Sequence, residues 1–124
     1  MHELSIASSI IETVTREIQE KKLDAVQAVG LRIGELSGIL PDALEFGFDA
    51  LKSDTPLAQA ELVIEIVPVT AVCSACKHEF KVEEFVFICP QCQSSAVETY
   101  SGQELEIAWL ETESPHRKID ETEI

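Results

Sequence analysis

The chain has 124 residues, a length that suits one or two small domains, and 45% of them are apolar, enough for a modest core. Its 23 acidic residues against nine basic ones give a formal net charge of −14. That balance excludes a general nucleic-acid binder, which needs cationic groups to displace counterions, and it favours a basic protein partner or a metal cation as cargo.

Residues 4–21 predict an amphipathic helix. Leu4, Ala7, Ile10, Ile11, Val14 and Ile18 recur at helical spacing, and Glu12, Arg16, Glu17 and Glu20 populate the other side. Residues 26–34 alternate as a strand, with Val29, Leu31 and Ile33 on one face and Ala28, Gly30 and Arg32 on the other. Gly34-Glu35-Leu36-Ser37-Gly38 reads as a loop. A second helix is expected from Pro41, which suits a first helical turn because its missing N–H is not needed there. Leu44, Phe48 and Leu51 form its apolar stripe, and Ser53-Asp54-Thr55-Pro56 ends it. Residues 61–69 carry the strongest strand pattern, with Leu62, Ile64 and Ile66 on one face. Leu105, Ile107 and Trp109 alternate as a third main strand. The segment 113–124 is polar and weakly patterned, and reads as a flexible tail.

Between the second and third strands lie all four cysteines, in two pairs: Cys73-Ser-Ala-Cys76 and Cys89-Pro-Gln-Cys92. Two C-x2-C turns brought together place four sulfurs at tetrahedral reach of one ion. Two disulfides, or four ordinary buried thiols, are the alternatives, and the doubled spacing favours the metal. Four thiolates suit structural Zn²⁺; iron in a rubredoxin-like site uses the same ligands. Lys77 and Gln93 stand where the tightest ribbon turns carry glycine, and His78 reads as a loop residue. Phe80, Val82, Phe85, Phe87 and Ile88 are expected to form short strands and a small apolar floor. A module this small needs its metal to fold.

The expected architecture is therefore α+β: two helices on a three-stranded sheet, with an inserted four-cysteine zinc-ribbon-like module. Residues 1–70 and 100–112 form the α+β domain and residues 71–99 the cysteine module. No apolar run is long enough to span a membrane, and Glu3 stands where a signal peptide would be basic. A cytoplasmic protein with reduced cysteines is expected. No nucleophile–base pair, phosphate-binding glycine loop or open metal site marks it as an enzyme.

His2 has chemistry of its own. The amine of Met1, the amide nitrogen of His2 and its imidazole can chelate one ion in fused rings, and Glu3 offers a fourth donor. Such a set suits Ni²⁺ or Cu²⁺. On spacing alone a His at position 2 is more often incidental.

Met1-His2-Glu3-Leu4-Ser5, the Gly34–Gly38 loop and the doubled C-x2-C together resemble the HypA/HybF family of hydrogenase maturation nickel chaperones, over the chain to about residue 110. The resemblance implies Ni²⁺ as cargo, bound through His2 and nearby nitrogens of Met1 and Glu3, and Zn²⁺ held by Cys73, Cys76, Cys89 and Cys92. It implies a HypB-type GTPase and the [NiFe]-hydrogenase large subunit as partners, and some members also serve urease. Asp42 is the nearest match to an acid that approaches nickel in some members. The competing reading is a zinc-ribbon interaction module that carries no nickel. Monomer and dimer both remain open.

Overall fold

A computed structural model of the chain describes residues 2–112 and 122–123, with the backbone alone for His2, Thr122 and Glu123. The expected tail, residues 113–124, otherwise lies outside the described residues. The first helix, α1 (His2–Lys21), starts two residues earlier than the apolar periodicity suggests. Ala7, Ile10, Ile11 and Val14 form its buried stripe, at i, i+3, i+4 and i+7, while Leu4 is left exposed. Glu17 and Lys21 pair at 2.9 Å in the favourable i, i+4 orientation. The helix stops in a Schellman arrangement: Leu23 N–H donates to the Ile18 carbonyl at 3.1 Å, and Lys22 takes a φ of 52° at the position usually held by glycine.

The second helix, α2 (Pro41–Leu51), has Pro41 in its first turn and buries Leu44, Gly47 and Phe48. The helices meet at Gly47, where a Cβ would lie in ordinary contact with Leu4 and Ala7 of α1 at 3.4–3.6 Å. Leu51, expected in the apolar stripe, is exposed instead. Lys52 ends the helix, its backbone N–H donating to the Phe48 carbonyl at 2.9 Å, while its ammonium donates to the Ala60 carbonyl at 2.8 Å and lies 5.6 Å from the centre of the Phe48 ring.

The main sheet runs in the order β2-β1-β6-β7, from β1 (Val26–Gly34), β2 (Glu61–Val67), β6 (Leu105–Thr112) and β7 (Thr122–Glu123). The three expected strands are its first three members. The fourth, β7, comes from the stretch expected to be tail, and pairs antiparallel with Glu106 and Ile107. Strand β1 is central and buried on both faces, rather than alternating. Gly30 explains part of this: the Trp109 indole lies directly over it, in space that any Cβ would occupy. Strand β2 has the strongest strand pattern yet sits at the edge, where Val63 and Ile66 remain exposed.

The second sheet runs β4-β3-β5, from β3 (Thr70–Cys73), β4 (Glu79–Lys81) and β5 (Val97–Ser101). Val69, Ala71 and Val82 make its small core, with Leu36, Phe80, Phe87 and Val97 packed against them. Phe85 and Ile88, expected in this floor, are exposed. The chain divides into two compact units, one of residues 1–32, 39–65 and 105–124, the other of residues 33–38 and 66–104. The cysteine unit is thus wider than residues 71–99, and it includes the Gly-Glu-Leu-Ser loop.

That loop is held by both ends of the cysteine module. Glu35 N–H donates to the Val67 carbonyl at 3.0 Å, and Gly34 and Leu36 N–H donate to the carbonyls of Glu104 and Gly102 at 2.8 and 2.6 Å. The Glu35 carboxylate accepts from the N–H of buried Val69 at 3.0 Å. Close passage at Gly34 is possible because Gly102 backbone fills the place of a Cβ there.

Candidate metal centres

The two cysteine knuckles repeat one backbone design. In the first, Lys77 N–H donates to the Cys73 carbonyl at 2.8 Å and Cys73 N–H donates to the His78 carbonyl at 2.9 Å. In the second, Gln93 N–H donates to the Cys89 carbonyl at 2.8 Å and Cys89 N–H donates to the Ser94 carbonyl at 2.9 Å. Lys77 and Gln93 close these turns with φ of 66° and 62°. The turns therefore adopt the left-handed geometry that glycine favours without having glycine, and the local strain is carried by the site they build.

Four sulfurs converge as a result. The Sγ atoms of Cys73, Cys76, Cys89 and Cys92 all lie within 4.8 Å of one another. Cys73 and Cys92 are 3.5 Å apart, and Cys76 and Cys89 3.6 Å. A disulfide would need about 2.05 Å. A tetrahedron of thiolates around Zn²⁺ at about 2.3 Å has edges of about 3.8 Å. The donor set and its spacing fit a four-coordinate soft-to-borderline cation and leave no ligand position open. Cys73 and Cys89 are buried, while Cys76 and Cys92 face solvent.

Electrostatics point the same way. The N–H of Cys76, with help from Cys92 and Ala75, holds the Cys73 thiol down at about 6. At Cys92 the N–H of Ser94 favours the thiolate, but the Cys73 sulfur, burial and the other two cysteines outweigh it and push the thiol up to about 12. Burial pushes the Cys89 thiol up, but the N–H groups of Cys92 and Gln91 with the Cys76 and Cys92 thiols outweigh it and leave the thiol below its ordinary value. The N–H by His78 favours the Cys76 thiolate, and burial with the Cys89 and Cys73 sulfurs reverses that. Two sulfurs are acidic and two reluctant because four so close cannot all ionise unaided: backbone N–H groups and the two thiols that keep their protons stabilise the ionised pair. A divalent cation removes that conflict. His78 takes no part: it stacks on Phe80, with ring centres 6.0 Å apart.

At the other candidate centre, Met1 and the His2 side chain lie outside the described residues. The His2 backbone opens α1, where a helix offers its first N–H groups no helical acceptor. The Glu3 carboxylate accepts from Leu40 N–H at 3.2 Å. Leu40 caps α2 but has no side-chain acceptor of its own, so Glu3 supplies from α1 what a capping box normally supplies locally. Asp42 stands in the first turn of that same helix, exposed.

Sequence reasoning missed the part played by Glu35. The loop stood out as a motif, but its carboxylate bonds a residue 34 positions away, and only the folded chain reveals that partner.

A match to the family described as hydrogenase/urease nickel incorporation metallochaperone, HypA, covers residues 1–112. A hydrogenase maturation factor HypA from Desulfatibacillum aliphaticivorans is 41% identical over 93% of this chain and 89% of its own. Its counterpart from Chloroflexus aggregans is 43% identical over 90% of this chain and 99% of its own. Among solved structures, a HypA protein in solution superposes with a TM-score of 0.69 at 26% identity, over 92% of this chain and 98% of that one. The solution structure of the Ni metallochaperone HypA from Helicobacter pylori gives a TM-score of 0.62 at 25% identity, over 89% of this chain and 96% of that one. With its paired knuckles, its two helices and its Met-His-Glu start, the chain belongs to the HypA/HybF family.

Proposed function

We propose that this chain is a cytoplasmic nickel metallochaperone that carries Ni²⁺ at its N-terminus and delivers it, with a HypB-type GTPase, to the large subunit of [NiFe]-hydrogenase. The observation that carries the reading is the closed cysteine centre. Its four sulfurs, all within 4.8 Å of one another, leave no open position for a cargo ion. Cys73, Cys76, Cys89 and Cys92 hold structural Zn²⁺, which ties the two knuckles together and supplies folding free energy to the module around them. The travelling metal then belongs elsewhere, and Met1-His2-Glu3 is the segment whose consecutive nitrogen donors suit it.

The position of His2 at the start of α1 favours that chemistry. Binding through the amide nitrogen requires loss of its proton, and the positive end of the helix dipole stabilises the resulting anion. The Met1 amine and the His2 imidazole complete a strong in-plane nitrogen set suited to Ni²⁺. Because the Glu3 carboxylate is engaged with Leu40, Glu3 contributes through its backbone nitrogen in the free chain. The same dipole opposes the cation itself, so the ion is held by local donors alone. A partner that offers better ligands can remove it without unfolding anything.

Nickel titration of the untagged, zinc-loaded protein tests this. One site beyond zinc is expected, abolished by His2→Ala and by an N-terminal extension, which consumes the amine. Tight nickel binding that survives both changes would sink the assignment.

A further inference from the structure

The segment between the knuckles has a feature that neither metal centre uses. Residues Glu83–Val86 form a tight turn, closed by Val86 N–H donating to the Glu83 carbonyl at 3.0 Å. Its central residues, Glu84 and Phe85, take φ of 52° and 59°. Two successive positive φ values are the type I′ pattern, which strongly prefers Asn-Gly. Here an acid and a bulky aromatic occupy it. A strained side chain is normally tolerated because packing fixes it, yet Phe85 is 63% exposed and lies outside the core cluster. Val86 and Ile88 are exposed beside it in sequence, at 54% and 47%.

The turn is nonetheless firmly based. On one side Val82 is buried and its N–H donates to the Val69 carbonyl at 2.8 Å. On the other, Phe87 packs on the core and Cys89 is locked in its knuckle. Three apolar side chains are thus displayed on a braced tip, at a conformational cost that nothing within the unit offsets.

Charge identifies what covers them. Glu83 and Glu84 flank the apolar residues, and the unit as a whole has six glutamates against two lysines. A second copy of this chain, at a net charge of −14, presents the same acids to itself. Anionic lipid and nucleic acid are disfavoured for the same reason. We propose that the Glu83–Ile88 tip is a docking anchor, with Phe85 inserting into an apolar recess rimmed by lysine or arginine on a partner protein. Exposed aromatics on rigid supports serve this way because little side-chain freedom is lost on burial, and the acidic rim steers a basic surface into register. The choice of probes, though not the anchor itself, rests on the carrier reading above.

The test uses the full chain with zinc bound, against the purified GTPase and the purified large-subunit precursor, each measured separately. The double variant E84N/F85G gives the turn its preferred residues. The expected result is a tenfold or greater loss of affinity for at least one of the two proteins, with zinc content unchanged and the melting temperature equal or higher. A side chain with a merely structural role would lower the melting temperature when removed. E83Q/E84Q is expected to flatten the salt dependence of the same complex. Affinities of the double variant within twofold of wild type for both proteins, or no binding of wild type to either, overturn the proposal. So does a wild-type dimer in sedimentation that E84N/F85G dissociates, since the tip then covers itself. Nickel titration of the free chain reads the carrier function independently, so loss of docking with nickel binding intact leaves that reading standing.

Discussion

Under the proposed function, the cysteine centre and the start of α1 bind metal by opposite strategies. Each cysteine knuckle is fixed by its own pair of backbone hydrogen bonds, of 2.8 and 2.9 Å in both cases, and two of the four sulfurs are buried. The ligands come from two segments of chain, so binding the ion closes a tertiary structure. The donors proposed at the start of α1 are consecutive residues on one short stretch of chain, so a chelate there would form and dissolve without altering the fold. The lesson is that retention follows from coupling ligands to folding, and transfer follows from leaving them uncoupled.

The largest expected effect breaks the first half of that contrast. Cys73→Ser removes a buried ligand and abolishes stoichiometric zinc. The metal contributes on the order of 10 kcal/mol to a module of this kind, so residues 66–104 lose their amide protection in hydrogen exchange. His2→Ala, measured alongside, removes nickel and leaves zinc content and melting unchanged. If Cys73→Ser kept its zinc and normal melting, the cysteine centre would not be structural. If His2→Ala melted the protein, the two strategies would not be separate.

Acid sharpens the comparison. Both metals leave as pH falls, because protons compete for the same lone pairs. Nickel leaves first: the amine and imidazole protonate from about pH 8 and pH 6.5 downward, and the amide regains its proton as well. Because the module depends on its metal to fold, its thiols meet zinc in the ordinary cysteine range of about 8.5 and are mostly protonated at pH 7.5. Zinc uptake at pH 7.5 therefore releases close to four protons, readable by calorimetry in buffers of differing ionisation enthalpy. Release of two or fewer would mean that the knuckles are already folded, with acidic thiols, before the metal arrives.

Much of this was legible in the sequence because it depends on local spacing. The stripe of Ala7, Ile10, Ile11 and Val14, the helix start at Pro41 and the doubled C-x2-C all encode structure within a few residues. What escaped depends on neighbours distant in the chain. The alternation in β1 separates its two faces but not what covers them: Trp109, far along the sequence, covers Gly30. The most strand-like segment became an edge because β1, not β2, is central. Phe85 was placed in the apolar floor by composition, and its left-handed turn directs it to solvent instead. Lys77 and Gln93 lack the glycine that a tight ribbon turn favours, yet the backbone adopts that turn because four hydrogen bonds enforce it.

Away from the metals, the Gly30 contact gives the next effect. Gly30→Val drives two methyl groups into space filled by the Trp109 indole. Overpacking of a rigid aromatic against a central strand costs about 2–3 kcal/mol, seen as a lower denaturant midpoint. Zinc stoichiometry stays at one, because this contact lies within the α-helical unit. A neutral substitution would mean that the ring moves aside freely.

The smallest effect separates a clasp from a charge. The Glu35 carboxylate accepts from the N–H of Val69, which is only 1% exposed. Glu35→Ala leaves that buried donor without its acceptor and costs about 1–3 kcal/mol. Glu35→Gln keeps an oxygen in place and loses only the reinforcement from charge, so it costs less than half as much. Both are read by denaturation, and by the exchange rate of the Val69 amide. The Ala variant is expected to speed that exchange far more than the Gln variant does. Equal effects of the two would show that Glu35 acts through its negative charge. The expected ranking shows instead that the Gly34–Ser37 loop fastens the two ends of the cysteine module by hydrogen-bond geometry, a function the motif's sequence does not disclose.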